Sequence, residues 1–331
     1  MTARAEPPAP ADPRAFPVDE AAYRAGPHHW LDELDDRTVG PGPPYHRMGT
    51  AAIAGTAWLP ADEHRDRELA LRRRLVAEAR DEVFAALPGS RAACNEAGTL
   101  VHTWLATHRP AHGVPPPPDG VDETEPLVRA GLAVQDDLAV MVRTGGQWQL
   151  GAALVCFPTF WRLADKIGRT QQEVHGPVPR YDGELASRVS TFFDRLAPGR
   201  IVARRNWGFA PSPLLFVPDL AALGDPGPFD PARWWLRSER QTLRRLPDTG
   251  AVLFTIRVQL APVDALADRP ELCDRLAAAM ASWPPDLVAG RSGGHAWHTE
   301  AGRWLRARAA VASHPDEAAR PPSPPPPERA P

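Results

Sequence analysis

One long strand–turn–strand pattern limits what this chain can fold into more than any other feature. Leu236–Leu246 alternates polar and apolar residues, the turn residues Pro247–Gly250 follow, and Ala251–Leu260 is rich in apolar residues. Proline, aspartate and glycine at such a junction favour a tight turn. Two long strands joined by four residues can pair only in antiparallel fashion, so an antiparallel sheet is predicted.

The first of these strands carries an unusual number of polar residues. Because successive side chains of a strand point to opposite faces, two sets are expected. One face holds Arg237, Glu239, Gln241 and Leu243, and the other holds Ser238, Arg240 and Thr242. Polar groups on a central strand are costly to bury unless they meet a partner or a ligand. A buried ion-pair network across the sheet and a catalytic or binding site remain equal explanations for these side chains.

The pattern of apolar residues in the rest of the sequence predicts further strands with helices around them. The expected strands are Leu132–Arg143, Trp148–Phe157 (after a Gly145-Gly146 turn) and Ile201–Phe209. Helical spacing of apolar residues predicts helices at about 62–87, 91–108, 183–196, 263–283 and 294–311. The fold class is therefore α+β: a single domain with an antiparallel sheet of about five strands and flanking helices.

The 40 prolines of the 331 residues concentrate at the two ends of the chain. Residues 1–43 are expected to be mostly disordered, with a short docked piece around Tyr23–Leu34, and residues 312–331 to form a disordered tail. The folded domain is expected to span residues 44–311. Pro110–Gly120 is predicted to be a surface excursion within it.

Composition excludes several classes of function. The formal net charge of -3 gives no general attraction to nucleic acid or to an anionic membrane. The sequence holds no apolar run of transmembrane length and no apolar core of a signal peptide near its start, so the cytoplasm is the expected location. Cys94, Cys156 and Cys273 form neither a disulfide framework nor a four-thiolate iron–sulfur site.

The stretch 160–179 contains the chemistry that stands out. Lys166 is the only lysine among 38 Lys and Arg residues, and His175 lies in the run Val-His-Gly-Pro-Val-Pro. Prolines stiffen the backbone on both sides of Val178, so His175 is held in one direction, as an axial metal ligand should be. The plainer explanations are a satisfied polar histidine and a lysine that escaped a drift towards arginine.

Several blocks of the sequence resemble one known family, the haem-dependent oxidative N-demethylase alpha subunits. These blocks follow one another in order over roughly residues 44–290. They are Pro44–Gly49, Trp58–Pro60, Val134–Met141, Pro158, Trp161, Lys166–Gly168, Val174–Pro179, Arg205–Trp207, Arg237–Pro247 and Leu253–Arg257. The resemblance implies a haem-binding fold similar to PAS domains. It further implies that the chain binds haem b, with His175 as the axial ligand of the iron.

The resemblance also implies an activity. Members of the family reduce O2 at the haem and oxidise an N-methyl group, which releases formaldehyde and the shortened amine. The expected substrate is a small secondary amine such as dimethylamine. The expected partner is a separate flavin and iron–sulfur reductase that delivers electrons from NADPH, since no flavin or iron–sulfur motif occurs in this chain. A haem-binding module that senses or carries a gas without catalysis is the alternative, and a descendant that has lost haem is a third.

Specific residues are expected to serve this chemistry. Haem propionates need cations, and the candidates are Arg205, Arg237, Arg240 and Lys166. A cationic amine needs a carboxylate and an aromatic face, for which Glu239, Asp136, Asp137 and Trp207 are the candidates. Proton delivery to bound dioxygen needs a titratable group, and Glu239 and Lys166 are expected there.

Overall fold

A computed structural model of the protein describes residues 10–40, 49–112, 125–176, 183–289 and 295–313. These residues form a seven-stranded sheet in which every neighbouring pair of strands is antiparallel. The strands are β1 (Ala51–Ile53), β2 (Phe84–Ala86), β3 (Asp137–Thr144), β4 (Gln147–Leu154), β5 (Ile201–Ala210), β6 (Trp235–Arg245) and β7 (Val252–Pro262). Their order across the sheet is β1-β5-β6-β7-β3-β4-β2.

Helices of very different lengths surround the sheet in the described ranges. In chain order they are α1 (Glu20–Ala25), α2 (Asp36–Val39), α3 (Arg65–Glu78), α4 (Arg80–Val83), α5 (Arg91–His108), α6 (Pro126–Gly131), α7 (Gln171–His175), α8 (Gly183–Arg195), α9 (Pro270–Ala281), α10 (Pro285–Ala289) and α11 (His295–Ser313). None of the helices in these ranges is long and apolar enough to cross a membrane.

The α+β class and the antiparallel sheet are confirmed, but the expected number of strands was wrong. All five predicted strands are present, and β1 and β2 add one short strand at each edge of the sheet. Each of these two has only three residues, which is too short to show alternation in the sequence. Short edge strands leave few unpaired backbone groups for a neighbouring chain to pair with.

Residues 10–40 pack against the rest of the protein. The docked piece expected around Tyr23–Leu34 is present, whereas the packing of the other residues from 10 to 40 was not expected from their proline content. Phe16, Tyr23, Trp30 and Leu34 are buried there, with exposed fractions between 0% and 8%. Aromatic side chains of this size contribute large apolar areas, which offset the conformational entropy lost by ordering the segment. The expected excursion near residues 113–120 and the tail beyond residue 313 lie outside the described residues.

The central hairpin has the register that its turn predicts. Gly250 adopts a φ of +69°, which closes the turn, and β6 then pairs with β7 from Arg245 opposite Val252 to Trp235 opposite Pro262. Glu96, on α5, accepts hydrogen bonds from the backbone N–H groups of Asp248 and Thr249 at 2.7 and 2.9 Å. A carboxylate from outside the hairpin, that of Glu96, therefore stabilises the turn.

The predicted alternation on β6 is confirmed, and it divides the sheet into two chemically different faces. The side chains of Glu239 and Gln241 contact each other on one face, together with Leu243 in an apolar cluster that includes Phe193 of α8. We call this the His175 face, because α7 and α8 cover it. Thr242 lies on the opposite face, where Trp58 donates a hydrogen bond to its hydroxyl at 3.1 Å.

A buried ion pair joins α3 to the start of β3. Arg72 Nη1 lies 2.6 Å from Asp137 Oδ1, and the two side chains are 0% and 1% exposed. Arg72 also donates to the carbonyl oxygens of Gly131 and Asp136, at 2.8 and 3.0 Å. Asp137 accepts two further bonds from the backbone N–H groups of Cys156 and Phe157. Removing either partner would leave an uncompensated charge in the core.

We therefore expect Arg72→Met to lower the free energy of unfolding by about 3–5 kcal/mol, since Asp137 would lose its cation. Denaturant unfolding followed by circular dichroism measures this change. Arg74→Met on the same helix is the matched control, because the Arg74 side chain is exposed and its contacts, with Glu78, the Ala15 carbonyl oxygen and the Phe16 ring, leave no buried charge when they are lost. Equal stability of the two variants would contradict a structural role for the buried pair.

Candidate functional site

His175 is the last residue of the short helix α7, and the local sequence explains why this helix forms. Thr170 and Glu173 make a reciprocal capping box at its start: Thr170 Oγ1 accepts from the Glu173 backbone, and Glu173 accepts from the Thr170 backbone. The ring nitrogen Nδ1 of His175 lies 2.8 Å from the carbonyl oxygen of Gln171. In the neutral ring, this contact places the proton on Nδ1 and the lone pair on Nε2, which is the arrangement that a metal ligand needs.

Two cations lie near the His175 ring. The residue is exposed, yet its pKa is lowered, through partial desolvation first and then through the positive charges of Arg204 and Lys166. Lys166 Nζ donates a 2.6 Å hydrogen bond to the carbonyl oxygen of Val174, and partial burial lowers the pKa of this lysine. Lys166 therefore fixes the C-terminal end of α7 directly beside His175. A cation is favourable at that end of a helix.

A second histidine shows that this local geometry is not enough to define a site. His108 also ends a helix, α5, and its Nδ1 lies 3.1 Å from the carbonyl oxygen of Trp104, four residues earlier. The ring of His108, however, stacks on the indole of Trp104 at 4.8 Å. His175 instead follows Val174, which packs against the apolar cluster of the His175 face. The residues around each ring, and not the hydrogen bond to the backbone, distinguish His175 from His108.

The apolar wall beside His175 consists of large side chains that remain partly exposed. Those that pack around the buried cluster of this face are Trp161, Ile167, Val174, Val189, Phe192 and Phe254. They come from β7, α7, α8 and the connection between β4 and α7. Partly exposed aromatic and aliphatic groups on the face that also carries an imidazole are the lining expected of a site for a flat apolar ligand.

Glu239 lies on the same face and is held by two neighbours. Its Oε1 accepts a hydrogen bond from the Thr159 hydroxyl at 2.6 Å, and its Oε2 accepts one from the Gln241 amide at 2.8 Å. Gln241 is the cross-strand partner of Arg204, one of the two cations near His175. The carboxylate is therefore oriented and partly buried, and Gln241 and Arg204 link it to the surroundings of His175.

Arg237 positions the loop that carries Thr159. Its Nε donates to the Thr159 hydroxyl at 2.9 Å, and its two other nitrogens donate to backbone carbonyl oxygens at 2.9–3.2 Å. Burial lowers the pKa of Arg237 to about 10. In the same loop, Phe160 adopts a φ of +62°, a conformation that non-glycine residues rarely hold without surrounding support.

A match between the sequence and a family model identifies the family of this chain. The family model of the haem-dependent oxidative N-demethylase, alpha subunit-like proteins matches residues 49–300. This chain belongs to that family. The resemblance inferred from the sequence blocks is thus confirmed, and residues 10–40 lie outside the matched range.

The residues of the His175 face fit the haem that the family name implies. One imidazole with its Nδ1–H held by a backbone carbonyl is a suitable axial ligand, and the apolar wall suits the macrocycle. Arg204 and Lys166 are the nearby cations available to its carboxylates. The Pro177–Pro179 part of the family block lies outside the described residues.

Two of the predicted cofactor residues lie on the opposite face of the sheet. Arg205 is paired with Glu33 at 2.5 Å, and Arg240 donates to the carbonyl oxygens of Ala57 and Trp58 at 2.7 and 3.0 Å. The structure does not bring these arginines together with His175, because strand alternation turns them away from it. Trp207 is on that opposite face as well.

Trp207 packs in an aromatic cluster between the sheet and helices α9 and α11. Its ring lies 5.3 Å from that of Trp283 and 6.3 Å from that of Phe209. The predicted acid Asp137 is the partner of Arg72 in the core, with every oxygen already bonded. Of the nine predicted site residues, the structure groups Lys166 with His175, and Arg237 with Glu239, on one face.

Sequence reasoning missed the residues that connect these groups. Thr159 joins Arg237 to Glu239, and its only signal was its position between two family residues, Pro158 and Trp161. Arg204 faces His175, and strand alternation beside Arg205 could have indicated that the two neighbours point to different faces.

Asp136 is a buried acid: in the described structure neither carboxylate oxygen meets a partner with full hydrogen-bond geometry, although the Thr255 side chain lies close enough to interact with it. Burial raises its pKa from 3.8 to about 6, against the opposing charges of Arg257 and Arg240. A carboxyl whose pKa is higher in the folded than in the unfolded chain favours folding below the unfolded pKa. The contribution of Asp136 to the stability of the folded state is therefore lost as the pH rises from about 4 through about 6.

We expect Asp136→Asn to become more stable than the wild type as the pH rises. The stability difference between variant and wild type should grow by up to about 3 kcal/mol from pH 4 to pH 7.5, since each unit of pKa shift corresponds to about 1.4 kcal/mol. Denaturant unfolding at several pH values measures this difference. Asp137→Asn, which breaks the pair with Arg72, should instead be destabilised at neutral pH. A difference between Asp136→Asn and wild type that does not change with pH would rule out the raised pKa.

Proposed function

We propose that this chain is the haem-binding subunit of an oxidative N-demethylase that acts on a small N-methylated amine. The observation that carries the proposal is the arrangement around His175. Its imidazole is presented beside an apolar wall, with Nδ1–H bound to the Gln171 carbonyl, on the same face as the oriented carboxylate of Glu239. Membership of the haem-dependent demethylase family supports haem b as the ligand of this site.

His175, Lys166 and Arg204 are the residues that hold the cofactor in this proposal. His175 Nε2 would hold the iron, since the hydrogen bond at Nδ1 fixes the tautomer and the ring direction. Lys166 keeps the end of α7 in place through the Val174 carbonyl. The bound haem supplies the activation of O2, and the chain's own residues supply orientation, charge and protons.

Glu239 is proposed to bind the substrate. A secondary amine is cationic at neutral pH, so its N–H groups need an anionic acceptor in a partly buried site. Thr159 and Gln241 hold the two oxygens of Glu239 in fixed directions, and Arg237 holds Thr159. The same carboxylate can accept the ammonium proton before oxidation and return it to the shortened amine. Trp161 and Phe254 are the aromatic groups of this face that could contact the methyl groups.

The overall reaction consumes the N-methyl amine, O2, two electrons and two protons. It inserts one oxygen atom into a methyl C–H bond and reduces the other to water. The resulting N-hydroxymethyl group then breaks at its C–N bond to give formaldehyde and the shortened amine. The electrons must come from outside the chain, and a separate flavin and iron–sulfur reductase using NADPH is the proposed partner. Dimethylamine is the proposed substrate.

The first experiment is an absorption spectrum of the purified protein with haem supplied, beside His175→Ala. We expect a Soret band in the wild type that is lost or strongly shifted in the variant, because the axial ligand is removed. His108→Ala is the matched control, since His108 makes the same Nδ1 contact to the carbonyl four residues earlier. The control should keep the wild-type spectrum.

Well-folded wild type that takes up no haem would overturn the proposed function. So would identical spectra of wild type and His175→Ala. Haem uptake through His175 without formaldehyde release from any N-methyl amine, with a surrogate reductase and NADPH, would instead favour a module that only binds a gas.

The second experiment tests Glu239. We expect Glu239→Gln to keep the haem spectrum and to lower the rate of formaldehyde release by about 100-fold or more, the usual effect of losing a positioned acid–base group. Formaldehyde and the demethylated amine are measured at saturating substrate. Glu96→Gln, which alters a carboxylate at the far end of the same hairpin, should keep the wild-type rate. An unchanged rate in Glu239→Gln would remove Glu239 from the mechanism.

A further inference from the structure

Three arginines lie directly opposite one another across three adjacent strands of the sheet. Arg205 of β5 pairs in register with Arg240 of β6, and Arg240 pairs with Arg257 of β7. We call these three residues the arginine row. Like charges placed directly opposite each other destabilise a sheet, so each member needs compensation. Burial lowers the pKa of Arg205, and the charges of Arg240 and Arg257 contribute to that lowering.

The two outer members of the arginine row have carboxylate partners. Arg257 lies 2.8 Å from Glu68 and 2.5 Å from Asp62. Arg205 contacts Glu33 through two nitrogens, at 2.5 and 3.1 Å. These pairs offset the cost of burying both guanidinium groups.

Arg240, the middle member, has no carboxylate within ion-pair distance among the residues that the structure describes. It is only 7% exposed, and its hydrogen bonds go to two neutral backbone carbonyl oxygens, of Ala57 and Trp58. The buried carboxyl of Asp136 interacts with Arg240 through charge but makes no hydrogen bond with it. A buried cation without an anionic partner is costly, and a bound anion would remove that cost.

A cavity of about 500 Å3 opens beside Arg240. One wall comes from the segment around α2, with Glu33, Asp35, Arg37 and Thr38, and another from Gly49–Ala51 and Ile53. The third wall is the sheet, with Ala203, Arg204, Arg205 and Arg240. The volume suits a small ligand.

The charge of this lining favours an anion. Both acids of the lining are already paired, Glu33 with Arg205 at 2.5 Å and Asp35 with Arg37 at 3.0 Å. Arg240 is the buried cation of the lining that pairs with neither acid, and the Arg204 side chain turns to the His175 face. Guanidinium groups bind carboxylate and phosphate oxygens particularly well because of their planar fork of donors. Part of the wall, residues 33–38, lies outside the range that matches the family.

We propose that this cavity binds a small molecule bearing a carboxylate or phosphate group, with Arg240 as the buried cation that the anion neutralises. The site is separate from the His175 face, because Arg240 points to the opposite side of β6 from Glu239 and Gln241. It does not depend on the proposed demethylase activity.

Thermal unfolding of the full chain with inorganic phosphate or with acetate tests the proposal, at ionic strength matched with chloride. We expect a saturable rise in Tm with at least one of the two anions, because a ligand that binds only the folded state stabilises it. A response to phosphate alone or to acetate alone identifies which group the site takes. Calorimetric titration then gives the affinity.

Two substitutions on one strand make the test specific. Arg240→Gln should weaken the binding of the anion by about 10-fold or more, the usual effect of losing a charged hydrogen-bond donor. Arg244→Gln is the matched control and should bind as the wild type does. Arg244 lies on the same strand and face, over the Trp58 ring, and does not line the cavity. If Arg240→Gln fails to fold, the exposed wall residue Arg37 replaces it, and Arg37→Gln should also weaken binding.

Three outcomes would overturn the proposal. The first is no saturable response of the wild type to either anion, and the second is an equal response in wild type, Arg240→Gln and Arg37→Gln. The third is a response of the haem-free protein that disappears when haem is bound, since the cavity would then serve the carboxylates of the haem.

Discussion

The need to satisfy buried arginines fixes how the loops and helices surround this sheet. Arg72, Arg237, Arg240 and Arg257 are each 7% exposed or less. A guanidinium group cannot lose its charge, so each must find acceptors from other elements of the chain. Arg237 binds the carbonyl oxygens of two separate loops, and Arg240 binds the segment before α3. The same groups that make the central strands polar therefore hold the surrounding segments in place.

This requirement also explains why the two faces of the sheet differ. On the His175 face, Arg237 orients Thr159 and thereby Glu239, and a cluster of apolar side chains lies on the same face. On the other face, the charges form a network that reaches Tyr23, whose hydroxyl donates to Glu68 at 2.7 Å. The N-terminal residues 10–40 thus complete a charge network of the sheet, which is a reason for their order besides their apolar contacts. The His175 face therefore suits an apolar cofactor. The ion pairs of the opposite face stabilise the fold, and its cavity suits an anion.

The two explanations for the polar strand, a structural network and a ligand site, therefore apply to different residues of it. Arg237 and Glu239 form part of the site on the His175 face, and Arg237 acts there by positioning Thr159. Arg205 and Arg257 belong to ion pairs on the other face. Arg240 has both roles, since it donates to the carbonyl oxygens of a loop and also lines a cavity. Only the contacts of each side chain separate these roles, because the residue type is the same.

The sequence by itself determined the five long strands, the central hairpin with its alternating faces, and His175 with Lys166 as the residues to examine. These follow from local rules: side-chain period, turn residues and the unusual chemistry of single positions. The tertiary structure decided which acids and cations belong to the site. Asp137, an expected acid, is paired with Arg72, while Arg204 and Thr159, which the sequence marked only indirectly, come to the site. The reason is physical: a charged side chain takes its role from partners that are distant in the sequence, and no local pattern records which partners folding will bring to it.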